Sequence, residues 1–251
     1  MKILKNILIL AVFSIVSLSN LVLSGSSQAY TITDTYYGAD AHGYGDIIGN
    51  ATLFDISKME VTFSSGTLTV DIYSRYFNNI GASSTELGDL FISNNGWHPY
   101  GIAPYLSDNS SNGEKWEFAL VLDNHIGNSG TAKLYSINQG TIENSNAPAG
   151  YTWRDGQEVL FKPSAGQNPL GTGTWQIYNL GTELDTDDYL RFQISYNNWE
   201  VQDALGFHWG MTCANDVIEG AAPVPEPATM LLLGAGLIGL AGIGRKRLRK
   251  A

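Results

Sequence analysis

The chain has a single cysteine, Cys213, among its 251 residues. An intramolecular disulfide is therefore excluded, and the stability of the folded chain must come from a packed core. A lone cysteine is far more often a small buried side chain than a nucleophile. We expect Cys213 to lie in the core and to have no catalytic role.

Catalytic motifs are missing as well. The sequence contains no H-E-x-x-H, no paired C-x-x-C and no G-x-S-x-G, which argues against zinc enzymes, zinc fingers and α/β-hydrolases. No histidine has a His or Cys partner at metal-ligand spacing, and His208, between Phe207 and Trp209, is typical of a buried residue with satisfied hydrogen bonds. We predict that the protein is not an enzyme. A polysaccharide hydrolase needs a pair of carboxylates, but 24 acidic residues would always supply some pair, so such a pair is no evidence for this activity. A hydrolase is therefore the least favoured alternative.

Basic residues are scarce except at the two ends of the chain. Lys2 and Lys5 lie near the N-terminus, and five more of the 14 lysines and arginines lie within residues 245–251. The part between holds seven basic and 24 acidic residues, a net charge of −17. Such a charge repels nucleic acid and anionic lipid, so we expect no nucleic-acid partner.

Long helical periodicity is absent between residues 30 and 222, and period-two alternation takes its place. Apolar side chains alternate with polar ones in 67–76, 116–122 and 189–196. This alternation is typical of half-buried strands. Because turn-rich segments and no helices separate the strands, we predict an all-β domain over 30–222. An antiparallel, jelly-roll-like β-sandwich is preferred to a closed barrel.

One hairpin can be placed by its turn. Residues 58–63 and 67–76 are both strand candidates, and the turn residues Ser64-Ser65-Gly66 lie between them. Glycine adopts a positive φ without steric cost, as such turns require. We therefore expect these two strands to pair, with Gly66 in the turn.

The first 29 residues have the layout of a secretory signal peptide. MKILKN is basic, ILILAVFSIV is apolar, and Ser27 and Ala29 are the small residues of a cleavage site after Ala29. We therefore predict that residues 1–29 are a signal peptide and that the domain is exported.

The C-terminal segment predicts membrane insertion. Residues 228–244 form an uncharged run of 17, near the lower limit for a transmembrane helix. Positive charge beside such a helix stays on the cytoplasmic side, so 245–251 is predicted to be a cytoplasmic tail. Residues 223–227 are predicted to be an extended linker, because prolines block helix continuation. The tail cations are Arg245, Lys246, Arg247, Arg249 and Lys250.

The order of these parts resembles a known sorting signal. Val224-Pro225-Glu226-Pro227, a Gly-rich apolar helix and the run RKRLRK are similar to the PEP-CTERM signal of Gram-negative bacteria. The resemblance implies that Pro225, Glu226 and Pro227 are read by an exosortase, a membrane enzyme that cuts nearby, after export machinery has delivered the chain. The protein would be anchored transiently in the inner membrane and then reach the cell surface or the extracellular matrix.

Loop aromatics and clustered acids suggest possible ligands for the exported domain. Aromatic rings in loops suit the faces of sugars, which favours a carbohydrate-binding module as an alternative function. The residues predicted for this role are Trp97, Tyr100, Trp153 and Trp199. No cofactor is required by any motif, but the carboxylates of Asp185, Asp187 and Asp188 would suit calcium, as would Asp40 and Asp46 beside a Gly-rich loop. Because the first group lacks EF-hand spacing, a solvated acidic turn is favoured over calcium there.

Two short segments echo each other. GDIIGN at 45–50 and NDVIEG at 215–220 both place an aspartate before two aliphatic residues and a nearby glycine. The echo is either a coincidence in a Gly-rich chain or a sign that first and last strands lie side by side. With these alternatives open, the sequence favours an exported, non-catalytic surface or matrix protein with a structural or adhesive role, and extracellular polysaccharide as its candidate partner.

Overall fold

The structure is a computed structural model, and it describes residues 28–40, 43–64, 66–178, 181, 188–201, 203–224 and 236. Gln28–Val224 forms one compact unit. Within the described residues, no helix has both the length and the apolar character needed to cross a membrane. The predicted transmembrane helix 228–244, apart from Gly236, and the predicted tail 245–251 lie outside the described residues. So does the predicted signal peptide up to residue 27.

The described residues form twelve strands and a few single-turn helices. The strands are β1 (Gln28–Thr33), β2 (Ile56–Ser64), β3 (Thr67–Ser74), β4 (Leu90–Ser93), β5 (Phe118–Leu122), β6 (Ser129–Ser136), β7 (Gly140–Asn144), β8 (Glu158–Pro163), β9 (Gly171–Tyr178), β10 (Tyr189–Ser195), β11 (Ala204–Gly210) and β12 (Val217–Pro223). The helices are α1 (Ala51–Phe54) and the 3₁₀ turns Arg75–Asn79 and Ala82–Ser84. β1 begins two residues before the predicted signal-peptide cleavage site after Ala29.

Ten strands form one antiparallel sheet in the order β1-β2-β3-β10-β9-β6-β5-β4-β11-β12. The sheet curls until its two edge strands touch. A Cβ placed on Gly220 of β12 would lie 2.5 Å from Ile32 Cγ2 of β1, so the missing side chain permits this approach. The fold is thus a nearly closed barrel. The predicted all-β antiparallel class is confirmed, but the preference for two packed sheets over a barrel is wrong. Alternation reports that one face of each strand is buried, and it does not say whether those faces meet between two sheets or inside one.

The predicted hairpin is confirmed. β2 pairs with β3 in a register that sets Ser64 opposite Thr67, and Gly66 has a φ of 80°. β3 ends at Ser74, whose side chain accepts a hydrogen bond from the Tyr76 N–H and so caps the following 3₁₀ turn. The local turn chemistry therefore sets both the register and the end of this hairpin.

The inward faces of the strands fill the barrel with a single apolar core. Leu68, Val70 and Ile72 of β3 project into it, as the alternation predicted. The largest of its fully buried side chains are Trp175 and Trp209. Such a closely packed interior provides the stability that a chain without disulfides needs.

A second layer covers one side of the barrel. The hairpin β7–β8 and the loop 94–116 lie over the outer faces of β4, β5, β11 and β12. Between the layers, Phe91 and Ala119 of the barrel pack against Trp116 and Phe161 of the covering layer. The outer faces of β3, β10, β9 and β6 instead carry mostly polar side chains that are exposed or half-exposed, with Asp71 and Tyr135 as buried exceptions.

The two ends of the barrel can be told apart by where the chain enters and leaves. In this antiparallel order, Gln28 at the start of β1 and Pro223 at the end of β12 lie at the same end, here called the basal end. β1 finishes and β12 begins at the opposite, apical end. Pro223, the first residue of the predicted linker, belongs to β12, and Val224 packs against the core. The folded unit therefore continues to the residue before Pro225.

Candidate functional site

The loop aromatics do not form one exposed surface. Trp153 is only 8% exposed and Trp199 only 7%, and both belong to the barrel core. The Trp199 ring meets Tyr196 at 4.9 Å and Phe118 at 5.7 Å between ring centroids. The prediction that these two tryptophans are available to a sugar is therefore wrong, because both side chains are buried in the core.

Trp97 and Tyr100, from the same loop, differ in exposure. The Trp97 Nε1–H donates to Glu219 Oε2 at 2.7 Å, and its half-buried ring packs edge-on against Tyr105. Tyr100 is 53% exposed. Trp97 thus attaches the covering loop to β12, and Tyr100 is the only one of the four predicted aromatics with a freely accessible ring.

The predicted calcium group is only partly described. Asp185 and Asp187 lie outside the described residues. Asp188 is fully buried, and its Oδ2 accepts a hydrogen bond from the side-chain amide of Asn78. Its backbone carbonyl accepts from the Ser74 N–H at 3.2 Å, which ties it to the end of β3. Asp188 therefore has structural contacts inside the fold and does not belong to a solvated turn.

A different group of acids meets at the apical end. Carboxylate oxygens of Asp34, Asp46 and Asp216 all lie within 4.8 Å of one another, and we call these three residues the acidic corner. Asp34 follows β1, Asp46 lies in the loop before α1, and Asp216 precedes β12. The corner is therefore assembled where the first and last strands of the barrel meet.

Hydrogen bonds fix only part of the corner. The Ile56 N–H donates to Asp216 Oδ2 at 2.6 Å, and the Val217 N–H donates to Asp216 Oδ1 at 3.0 Å. By contrast, Oδ1 of Asp34 and Oδ1 of Asp46 are buried with no hydrogen-bond partner in the described structure. Unpartnered buried carboxylate oxygens carry a desolvation cost.

That cost shifts the titration of the corner. Burial, followed by the charge of Asp46, raises the pKa of Asp34 to about 8. Burial also raises the pKa of Asp46, and burial together with the charge of Asp34 raises the pKa of Asp216 well above its usual range. The three carboxylates cannot all ionise without mutual repulsion.

Arg154 is the buried cation beside the corner. Its Nε–H donates to the carbonyl of Ala214 at 3.0 Å, and its terminal N–H groups donate to the carbonyls of Gly38, Gly45 and Asp46. It therefore holds the loop before α1 against the chain entering β12. With all three aspartates ionised, their three negative charges and the positive charge of Arg154 give the corner a net charge of −2. Protons can relieve this charge, and so can a cation that prefers oxygen ligands, although calcium takes six to eight of them.

The interior between the barrel and its covering layer holds a second charged group. His208 is fully buried on the outer face of β11, with Nδ1 2.7 Å from Glu219 Oε1 and Nε2 2.6 Å from the backbone carbonyl of Glu158. Both ring nitrogens face acceptors, so the imidazolium satisfies the site best. The sequence-based prediction of a buried, hydrogen-bonded histidine is confirmed. Full burial also keeps this pair away from any substrate.

The base of β12 is where the folded unit meets the tail. Its register sets Ala204 opposite Pro223 and Leu205 opposite Ala222. A family model for the PEP-CTERM protein-sorting motif matches residues 223–247, starting at the last residue of this strand.

The chain carries a PEP-CTERM sorting signal. The recognition made from Val224-Pro225-Glu226-Pro227 and the basic run is thereby confirmed. No curated protein and no solved structure matches the chain. For a PEP-CTERM protein, the motif implies export, passage through the membrane to the cell surface, and processing by an exosortase. Pro225, Glu226, Pro227 and the five tail cations lie outside the described residues.

In this PEP-CTERM protein, the sorting signal and the domain share a boundary. The motif match begins at Pro223, inside β12, and the compact unit ends at Val224. Sequence reasoning missed this overlap, because Ala221-Ala222-Pro223 has the composition of a linker. The signal that could have found it is the alternation of Ile218, Gly220 and Ala222, which continues the strand towards the motif.

Proposed function

We propose that this PEP-CTERM protein is an exosortase-processed surface or matrix protein whose β domain has a structural or adhesive role and no catalytic one. The observation that carries the proposal is the position of the sorting signal. It adjoins one compact all-β unit, so the segment that an exosortase would read directly follows a folded domain. A tightly packed barrel with a covering layer suits a protein that must persist outside the cell.

The tail can be tested as a sorting signal by changing the residues that an exosortase would read. Insertion depends on the apolar run and its flanking cations, which both follow residue 227. Changing Pro225, Glu226 and Pro227 to alanine should therefore leave insertion intact and stop processing, so that a full-length membrane form accumulates. Fractionation and C-terminal mass spectrometry of the native and triple-alanine proteins measure this. Native protein that stays intact to Ala251 in the membrane would overturn the proposal.

The tail cations give the matching control. Removing 245–250 should leave the Pro-Glu-Pro available and should impair retention and orientation first, because positive charge holds the tail inside. A reporter fused after Ala251 should be cytoplasmic in the native protein. If the two variants gave identical products, the separate roles assigned to the motif and the cations would be wrong.

An adhesive role towards polysaccharide is supported by the outer side of the barrel that the second layer does not cover. On one row across five strands, Thr62, Thr69, Gln193, Thr174 and Thr131 are direct neighbours by register. These side chains are uncharged and half-exposed or exposed, and we call this row the hydroxyl row. Hydroxyl and amide groups pair with the hydroxyls of a neutral glycan without the repulsion that the acidic domain would impose on anionic partners.

A glycan array probed with the processed protein tests the adhesive role. Thr174→Arg, in the centre of the hydroxyl row, should reduce binding of any retained neutral glycan by about tenfold or more. Thr141→Arg, an exposed strand threonine of β7 on the covered side, is the matched control and should leave binding unchanged. Equal loss in both variants, or no glycan retained by the native protein, would reject the polysaccharide partner and leave a purely structural role.

A further inference from the structure

The last strand of the barrel runs directly into the sorting signal. Ala222 and Pro223 are paired with Leu205 and Ala204 of β11, and Val224 is packed on the core. Only then does the chain reach Pro225. The residues immediately before the motif are therefore committed to the sheet when the domain is folded.

A processing enzyme and the sheet compete for the same backbone groups. Enzymes that read extended segments bind several residues on each side through main-chain hydrogen bonds. Each backbone N–H and C=O of a strand can serve only one such ladder at a time. Residues 221–223 cannot remain paired with β11 while they lie in an enzyme cleft.

The end of β12 is built to separate at low cost. Among the described strands, β12 is hydrogen-bonded to β11 alone, and it meets β1 through side chains such as Ile32 against Gly220. Its last residues are Ala221, Ala222 and Pro223, which have little apolar area to bury, and proline has no N–H to donate. The half-buried Val224 is the one larger side chain that must leave the core with them. Fraying at this end leaves the large core residues in place.

Both termini of the folded domain lie at the basal end, where β1 begins and β12 ends. A groove at this end is lined by Asn94, Phe118, Tyr196, Asn197, Asn198 and Glu200. The tail therefore leaves the domain at the basal end, and an enzyme that reads the tail approaches the domain from there.

We propose that the basal end is the surface that faces the membrane-embedded processing enzyme, and that the last residues of β12 unpair from β11 each time the tail is read. This inference rests on the proposed exosortase processing. It adds a conformational requirement within the folded domain, so the fraction of molecules with a frayed β12 sets the apparent rate of processing.

A reversible disulfide between β11 and the end of β12, here called the lock, tests whether β12 must unpair. Ala204 and Pro223 are directly opposed on the outer face, at the spacing of antiparallel neighbours that a disulfide can span. The full-length double variant Ala204→Cys/Pro223→Cys is followed by pulse-chase in cells that carry the exosortase. Under oxidising conditions its processing should fall to about a tenth of the native rate or less, and a reductant should restore it. Native-rate processing of the oxidised variant would overturn the inference.

A spacer separates the lock from any general damage. Eight Gly/Ser residues between Val224 and Pro225 add about 16 Å of reach. In the oxidised double variant this insertion should return processing to within about twofold of the native rate, because the enzyme can then read the motif without opening the sheet. If the spacer fails to rescue the locked protein, unpairing is not what the lock prevents, and the inference is wrong.

Controls distinguish this inference from the proposed function. The single variants Ala204→Cys and Pro223→Cys should be processed at the native rate, and the buried Cys213 should not exchange with them. If the native protein is never processed, the exosortase assignment fails. If the native protein is processed and the locked protein is processed equally fast, only the unpairing of β12 is refuted.

Discussion

His208 and Glu219 face each other directly across β11 and β12, with 2.7 Å between His208 Nδ1 and Glu219 Oε1. Burial lowers the pKa of His208, but the hydrogen bond and charge of Glu219 raise it by more, so the net shift is upward. The folded state therefore holds a proton that the unfolded state releases near pH 6.5. The stability that the pair contributes is complete below that pH and is lost as the pH rises through the folded pKa.

Glu219→Gln should reverse this dependence. The glutamine amide can donate to a neutral His208 and still accept from Trp97, so the site remains hydrogen-bonded but no longer favours the imidazolium. We expect the free energy of unfolding of the variant to rise between about pH 5.5 and 7.5, relative to the native protein. Chemical denaturation at several pH values measures it. Glu143→Gln, which alters an exposed pair with Lys162, is the control and should leave the slope unchanged.

The acidic corner should respond to removal of one charge. Asp34→Asn places an amide donor where Asp34 Oδ1 has no partner, beside the other two carboxylates. Because the native pKa is raised to about 8, the native protein loses stability between about pH 4 and 8, where the unfolded carboxyl is ionised and the folded one still holds its proton. The variant should be more stable by about 1–3 kcal/mol at pH 8 and by less at pH 5.

Asp123→Asn is the matched control for that change. The hydrogen bond from Trp175 lowers the pKa of Asp123, so its carboxylate contributes stability above the unfolded pKa and loses it in acid. The control should therefore lower stability at neutral pH.

Calcium binding at the acidic corner is tested in the same melts. Added calcium should raise the melting temperature of the native protein at pH 8, and Asp34→Asn should weaken that response. An unchanged melting temperature would argue against a calcium site there.

Trp199 should behave as a core residue rather than a ligand contact. Trp199→Ala should lower the free energy of unfolding by about 3–5 kcal/mol, since it empties a packed position between Phe118 and Tyr196. Tyr100→Ala, at an exposed loop position, should change it by less than about 0.5 kcal/mol. Thermal and urea melts decide the matter. A stability loss of similar size in both variants would contradict the assignment of Trp199 to the core.

The contact between β1 and β12 should be sensitive to a single methyl group. Gly220→Ala introduces a Cβ that would lie 2.5 Å from Ile32 Cγ2, and we expect a loss of about 1–3 kcal/mol from overpacking. Ile32→Ala removes the clashing group, so the double variant should lose less than the sum of the two single variants. Additive losses would show that the two edge strands are not in contact in solution.

The sequence predicted the turns and strands that depend on neighbouring residues, and it missed the burial of side chains that depends on contacts distant in the sequence. Gly66 and the alternation in β3 follow from turn and strand propensities, and both were predicted correctly. Trp199 lies in the turn-like segment NNWE, and its burial depends on Phe118, from a strand far away in the sequence. A single sequence carries no signal for that contact.

The acidic corner shows the same limit with one exception. Asp34, Asp46 and Asp216 share no recognisable ligand spacing, because strand order brings them together. The two segments of the echo, GDIIGN and NDVIEG, nevertheless meet in the fold, although GDIIGN does not belong to a strand. Their two aspartates, Asp46 and Asp216, meet in the corner, and the Ile48 N–H donates to the Asn215 carbonyl at 2.7 Å. The two segments therefore lie side by side.

The position of β12 also links closure of the barrel to the arrival of the sorting signal. A chain that crosses the membrane from its N-terminus delivers β1 first and β12 last, and the strand that completes the barrel is followed at once by the tail. The sheet therefore cannot close until the sorting signal has arrived at the membrane. Completion of the barrel and arrival of the signal are therefore coupled, and a molecule stalled during translocation would have an incomplete barrel rather than a finished domain with an unread tail.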